Sequence, residues 1–407
     1  MKNVFRNLVL LLVHGTTRLL LHCHIILARY EHAFGHQAWN LEYIARLYFR
    51  LHGRHPRIVA FQRSHHIPNL SLYQHHLRSG IRILGPDNLL ARLFRAARTD
   101  LKNRQTTAST KNQTVSSFLY CRFTMDQLHT DLSTEGQQVA YPFSADEAFC
   151  GADHESRLTP GDFFCFQDRT TKYKAEIAKD MPANFIHDNR FDLARNTKLD
   201  DLYPAIDAAA KKGLTAVRLG VSPEHPAEHD NIFDYASDGP RNNGGNDLFL
   251  MSRCKFFLGP NSGIWLLARS QNKPTCLVNV FPWPWINMPL SKDCLVMPKK
   301  IWLKEQRRLM TINEMAQMEQ QFKWKLFYQD TSFHNLGIEV IDNTVDELTH
   351  ALVEMNERID GAWTGSSFRV ADVLTNENIA KPSEALFPSF FVLQNPELFP
   401  TLSRKQN

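Results

Sequence analysis

Short apolar runs alternate with stretches of helical spacing along most of this chain. Residues 22–30 (HCHIILARY) form a continuous apolar run and predict a buried first strand. Residues 38–51 follow with Trp39, Ile44, Leu47 and Tyr48 on one face, which predicts a helix. Residues 57–61 (RIVAF) predict a second strand, 69–79 a helix ending at Gly80, and 81–84 a third strand stopped by Gly85-Pro86. A basic helix is expected over 88–98. Residues 100–118 are polar and read as a loop, and 119–155 close the first half and cross to the second.

The alternation then resumes. Residues 162–167 (DFFCFQ) and 215–219 (TAVRL) predict strands, with a helix over 200–212 between them. Lys211 and Lys212 sit favourably in its last turn. A helix over 245–253 leads into KFFLGPNSGIWLLARSQNKPTCLVNV, residues 255–280, around which the chain is organised. Its apolar start ends at Gly259-Pro260. Asn261 and Ser262 are good N-cap types, and 264–270 has helical spacing. Lys273-Pro274 breaks the helix, and 275–280 is a second β-rich run. Such a βαβ unit opens its loop onto a helix N-terminus, where backbone N–H groups favour phosphates. Further strands are expected at 294–297 and 337–341, and a last helix at 345–358.

Strand–helix alternation of this kind implies an α/β fold with parallel sheets. We expect two Rossmann-like domains, 1–155 and 156–358, facing across a cleft, with a tail over 359–407 packing back on the body. With 407 residues the chain has room for both. Seven cysteines show no C-x-x-C spacing and read as buried thiols of a reducing compartment. No segment has the ~20 apolar residues that span a bilayer. A short apolar run at 8–13 follows Lys2 and Arg6, and predicts an amphipathic helix lying on a membrane or packed on the fold.

Charge is uneven. Residues 1–99 hold 14 Lys and Arg against three Asp and Glu, and the remainder 33 against 39. A basic first third suits an anionic partner such as a membrane surface or an acidic sugar. Nucleic acid is not expected, because that region lacks interleaved exposed aromatics and a known nucleic-acid module.

Strand ends of both halves supply the candidate chemistry. In the second half these are Gln167, Asp168 and Arg169, then Arg218 and Gly220, then Asn261, Ser262 and Gly263, and Asn279. Arg169 and Arg218 are the expected partners of a diphosphate, since a guanidinium pairs phosphate oxygens in a fork. In the first half, Glu31 or His36 could act as a base on an acceptor hydroxyl. No metal is expected: no two aspartates stand two apart, and the His65-His66 and His75-His76 pairs read as surface. Trp283 and Trp285, in FPWPW, read as packing at the domain seam, with stacking on a base or sugar as the alternative.

QDRTTKY (167–173), HDNRFDLARN (187–196), LYPAIDAAAKKGLTAVRLG (202–220), DYASD (234–238), DLFLMSRCKFFLGPNSG (247–263), KPTCLVNVFP (273–282) and GIEVIDNTVDEL (337–348) together resemble a bacterial glycosyltransferase family. That family is itself similar to the O- and α-1,6-fucosyltransferase type, with GT-B architecture. The resemblance covers roughly 20–358, with GHQAWNLEY (35–43) its weaker part. It implies donor binding in the second domain by Arg169, Tyr173, Arg195, Asn196, Arg218, Gly220, Ser262 and Gly263, and acceptor binding in the first. Where the family often has His, this chain has Gln167, which hydrogen-bonds but exchanges no proton near pH 7.

The expected function is metal-independent transfer of a sugar from a nucleotide-sugar donor to a glycan or lipid-linked acceptor, with no cofactor. The expected location is cytoplasmic, either free or in peripheral contact with the inner membrane through the basic first third. The other readings are a nucleotide-sugar epimerase or hydrolase and a non-enzymatic binder of anionic polymers.

Overall fold

The computed structural model describes residues 22–30, 34–62, 69–93, 139–143, 158–177, 193–221, 223–237, 245–283, 293–321, 337–374 and 384–403, with isolated positions before residue 70. The expected loop at 100–118, most of 119–155, Glu31 and Trp285 lie outside these residues.

The first half is a parallel sheet of β1 (Ile25–Tyr30), β2 (Arg57–Gln62) and β3 (Arg82–Leu84), in that order. β1 starts three residues later than its apolar run suggests. His24 takes a positive φ of 59°, which interrupts extended backbone before Ile25. Helix α1 (Phe34–His52) crosses from β1 to β2, and α2 (Leu70–Arg78) from β2 to β3. The Asn69 side chain caps α2 by accepting from the Leu72 N–H at 2.7 Å.

His75 and His76, expected at the surface, are each only 2% exposed. Helical phase turns both inward. The Tyr30 hydroxyl lies 3.1 Å from His76 Nδ1, and Gln37 Nε2 donates to the same hydroxyl at 2.6 Å. Burial pushes the His76 pKa down to about 3, so this imidazole is neutral.

The second half is an eight-stranded sheet in the order β13-β14-β9-β8-β7-β4-β5-β6. Its strands are β4 (Phe163–Phe166), β5 (Thr215–Arg218), β6 (Ile232–Asp234), β7 (Phe257–Gly259), β8 (Thr275–Val280), β9 (Cys294–Pro298), β13 (Phe368–Arg369) and β14 (Leu386–Phe387). Every pairing is parallel except β13 with β14. β4, β7, β8 and β9 are buried at every position, as parallel strands covered on both faces must be.

The helices of this half include α3 (Lys172–Ile177), α4 (Tyr203–Ala210), α5 (Gly245–Arg253), α6 (Gly263–Ser270), α7 (Ile312–Gln321) and α8 (Val345–Ile359), with three short helices after them. Thr344 and Glu347 form a capping box on α8. The strand expected at 337–341 is β12 (Ile338–Ile341). It pairs antiparallel with β10 (Lys300–Leu303), which also carries β11 (Arg308–Leu309), in a separate three-stranded sheet. Cys165, Cys254, Cys276 and Cys294 are buried free thiols, whereas Cys23 is exposed. Trp283 is buried and stacks on Phe387.

One continuous hydrophobic cluster includes residues of both sheets. The halves meet where α1 packs along α6, the two helices running in the same direction. At one end a Cβ built on Gly35 would stand 2.8 Å from Gly263 Cα, so the backbones are in direct contact. At the other end Arg46 of α1 donates to the Ser270 carbonyl at 2.7 Å and to Asn272 Oδ1 at 2.6 Å. Glu42 holds Arg46 and accepts from the Ala140 and Tyr141 N–H groups at 2.6 and 2.9 Å, strapping residues 139–143 across the junction. Among the described residues no helix is long and apolar enough to cross a membrane.

Candidate functional site

Parallel strands of the large sheet deliver their C-terminal ends to the start of α6. Ser262 is the N-cap residue of α6 with an extended backbone, yet its hydroxyl does not cap the helix. It donates instead to Gln167 Oε1, at the end of β4. Gln167 is pressed against β5: a Cβ on Gly220, at φ +119°, would meet Gln167 Nε2 at 3.2 Å. The carboxamide therefore accepts from the α6 loop and packs against the Gly220 loop, a role that an amide fills without exchanging protons. Asn261 pins its own loop by donating to the Phe281 carbonyl and accepting from the Phe281 N–H. Gly263 meets Gly35, which places half-buried His36, in the first turn of α1, beside the start of α6.

A second group gathers at the end of β4. Arg169 Nη1 donates to Asn196 Oδ1 at 2.8 Å, and the Thr197 N–H donates to the Arg169 carbonyl at 3.2 Å. Arg195 Nη2 donates to the Asn261 carbonyl at 2.8 Å, joining this group to the α6 loop. Tyr173, half-buried on α3, has its phenol pKa raised by burial. Gln167, Gly220, Asn261, Ser262 and Gly263 thus line the start of α6, where Gly263 meets Gly35 of the first half, and Arg195 ties the Arg169–Asn196 pair to the Asn261 carbonyl.

Arg218 and Asp168 are not part of that lining. The Arg218 side chain is 0% exposed. Its Nε and Nη2 donate to the two Asp168 oxygens, both at 2.7 Å, and its Nη1 donates to the His225 carbonyl and Asp234 Oδ2. Burial opposes the charge on Arg218, but Asp168 and Asp234 more than offset it and its pKa is raised. The Arg218 fork, expected to pair a diphosphate, is occupied in this structure by the carboxylates of Asp168 and Asp234. Asn279 is likewise interior, at a positive φ of 50°. It exchanges hydrogen bonds with Asn343, each backbone N–H donating to the other's Oδ1, at 2.6 and 2.7 Å.

Two residues escaped the sequence reading. Lys299 follows β9 and donates to the Asn196 carbonyl at 2.7 Å and to Asp342 Oδ1 at 2.6 Å. Its signal was a lysine directly after an apolar strand. Asp247, in the first turn of α5, is 3% exposed. Its carboxyl accepts from the Gly220 backbone, and its Oδ1 has no partner among the described residues. Burial pushes its pKa up to about 7.

Because that folded value lies above the unfolded one, the Asp247 contribution is fully present below about pH 4 and is lost as pH rises towards 7. Asp247→Asn removes this slope. We expect its stability relative to the parent to rise by roughly 4 kcal/mol between pH 4 and 8 in urea titrations. A difference independent of pH would show that Asp247 ionises normally.

Among the described residues no group of three or more His, Cys, Asp or Glu stands together as a metal site. No known protein-family model matches the chain, and no curated protein matches it. Solved structures with some likeness include the glycosyl transferase family 9 protein from Veillonella parvula DSM 2008. It is 11% identical, at TM-score 0.42, over 82% of this chain and 97% of that one. E. coli heptosyltransferase WaaC with ADP is 12% identical, at TM-score 0.31, over 63% of this chain and 87% of WaaC. The iron-containing dodecameric glycosyltransferase TibC from enterotoxigenic E. coli H10407 is 10% identical at TM-score 0.33, over 64% of this chain. The match spans 59% of TibC. None of these likenesses assigns the chain to a family.

Proposed function

We propose that the protein is a glycosyltransferase of GT-B type that moves a sugar from a nucleotide-sugar donor to a glycan or lipid-linked acceptor, without a metal. The observation that carries this reading is the junction itself. Two helix N-termini meet at Gly35 and Gly263 beside Arg169, Arg195 and Asn196. Backbone N–H groups, helix dipoles and guanidinium groups in one place suit a diphosphate leaving group. His36 stands on the first-half side of that place, where an acceptor hydroxyl would have to lose its proton. Glu31, three residues before Phe34, is the other base by sequence. The basic first third suits acceptors carried at an anionic membrane surface.

The reading is tested by thermal shift with nucleoside diphosphates and their sugar conjugates, with Mg²⁺ or with EDTA. A ligand at 100 times its Kd stabilises by about 2.7 kcal/mol. We expect a shift with one nucleoside diphosphate that survives EDTA. We also expect Arg169→Ala to lower transfer by about tenfold to a hundredfold. Donor hydrolysis without transfer would favour the hydrolase reading. No shift with any nucleotide would remove the transferase reading.

A further inference from the structure

The ammonium of Lys299 is buried, at 2% exposure, in the seam between the Arg195–Asn196 loop and the end of β12. An amino group is not left dry and charged without several acceptors. Lys299 has two, the Asn196 carbonyl and Asp342, and its backbone N–H is fixed by the Val280 carbonyl at 3.0 Å. An ammonium has three donors, so one remains. Burial lowers the Lys299 pKa, Asp342 opposes that, and Arg169 and Lys198 add weaker repulsion; Asp342, one-third exposed, is the only carboxylate among the described residues that pairs with it.

The seam is rigidly built. Asp342 precedes Asn343, which is locked to Asn279 and donates to the Pro298 carbonyl at 2.9 Å. The next lysine, Lys300, points away and pairs with Glu347, which also accepts from Asn395. Both consecutive lysines are buried, but Lys300 pairs with Glu347 whereas Lys299 reaches the Asn196 carbonyl of the candidate site.

We infer that Lys299 is a positioning residue for a diphosphate: its ammonium, held on the Asn196 carbonyl, fixes the residue that holds Arg169 and adds its charge to that of Arg169 in one anion-binding corner. The Asn196 side chain holds the Arg169 guanidinium, so the lysine sets where that guanidinium stands. This inference rests on the transferase reading of the same junction, and it names Lys299 as the residue that keeps the anion corner assembled.

Inorganic pyrophosphate is the probe, titrated calorimetrically into the full chain, with Lys304→Met at an exposed position as control. Lys299→Met is expected to weaken binding about tenfold or more, the scale of a lost charge-assisted contact. Asp342→Asn keeps an acceptor for the ammonium but removes the opposing charge. It is expected to tighten pyrophosphate binding about threefold and to steepen its loss with salt. A merely structural strut predicts the reverse, since weakening the Asp342 contact would loosen the corner. Unchanged binding in a folded Lys299→Met, or weakened binding in Asp342→Asn, overturns the inference and leaves the transferase reading standing. If Lys299→Met does not fold, Asp342→Asn decides. A parent protein that binds neither pyrophosphate nor any nucleoside diphosphate overturns both.

Discussion

Replacing Arg218 with Met is expected to destabilise the protein by about 3–5 kcal/mol, the usual cost of removing one partner from a buried ion pair. Met matches much of the arginine stem and fills the space, so the loss isolates the charge. The guanidinium now satisfies both oxygens of Asp168 and one of Asp234. Without it, two carboxylates lie close together at low exposure with no cation between them. Asp234 also accepts from the Ala227 N–H and the Ser237 hydroxyl, so the stretch from 225 to 237 loses its anchor with the arginine. Arg218→Lys keeps the charge but not the fork and should fall between the two. Urea unfolding at pH 7 measures all three. A loss below about 1 kcal/mol for Arg218→Met would mean that the carboxylates find water or protons easily, against the dry placement described.

Gly35→Val is expected to cost about 2–4 kcal/mol and to abolish anion binding at the junction. Even a single Cβ at this position would stand 2.8 Å from Gly263 Cα and 2.9 Å from Leu266 Cδ1. The first obstacle is backbone, which cannot rotate aside as a side-chain tip can. The branched side chain must push α1 off α6 where both helices begin. Gly35→Ala asks for a smaller displacement and should cost about half as much. Calorimetric melting together with pyrophosphate titration tests both effects. A valine variant that melts and binds like the parent would show that the helices separate freely here.

Local signals made much of the fold legible. The 255–280 unit declared itself by Gly259-Pro260, by Asn261-Ser262 and by Lys273-Pro274, and the structure places β7, α6 and β8 there. α5 and α8 were readable for similar reasons, with Thr344 and Glu347 marking the start of the latter. What escaped was non-local. Lys300 looks like a strand breaker in MPKKIWL, but Glu347 neutralises it from 47 residues away and is itself held by Asn395, so β10 continues. β13 and β14 are two residues each, too short for any period to show. At the site, an arginine at a strand end looks the same in sequence whether it faces ligand, as Arg169 could, or two acids, as Arg218 does. The meeting of Gly35 with Gly263 leaves no trace in either segment alone.

The parallel run of α1 beside α6 has a consequence for polarity. Two helices side by side in the same direction bring like ends together, which an antiparallel pair avoids. The chain answers this at one end only. Arg46 sits at the last carbonyls of α6, a cation where negative partial charge collects. At the opposite end neither helix carries an acid in its first turn. Among the described residues the fold places a cation at the last carbonyls of α6 and no first-turn acid at Gly35 and Gly263, the end to which the proposed donor would bring its negative charge.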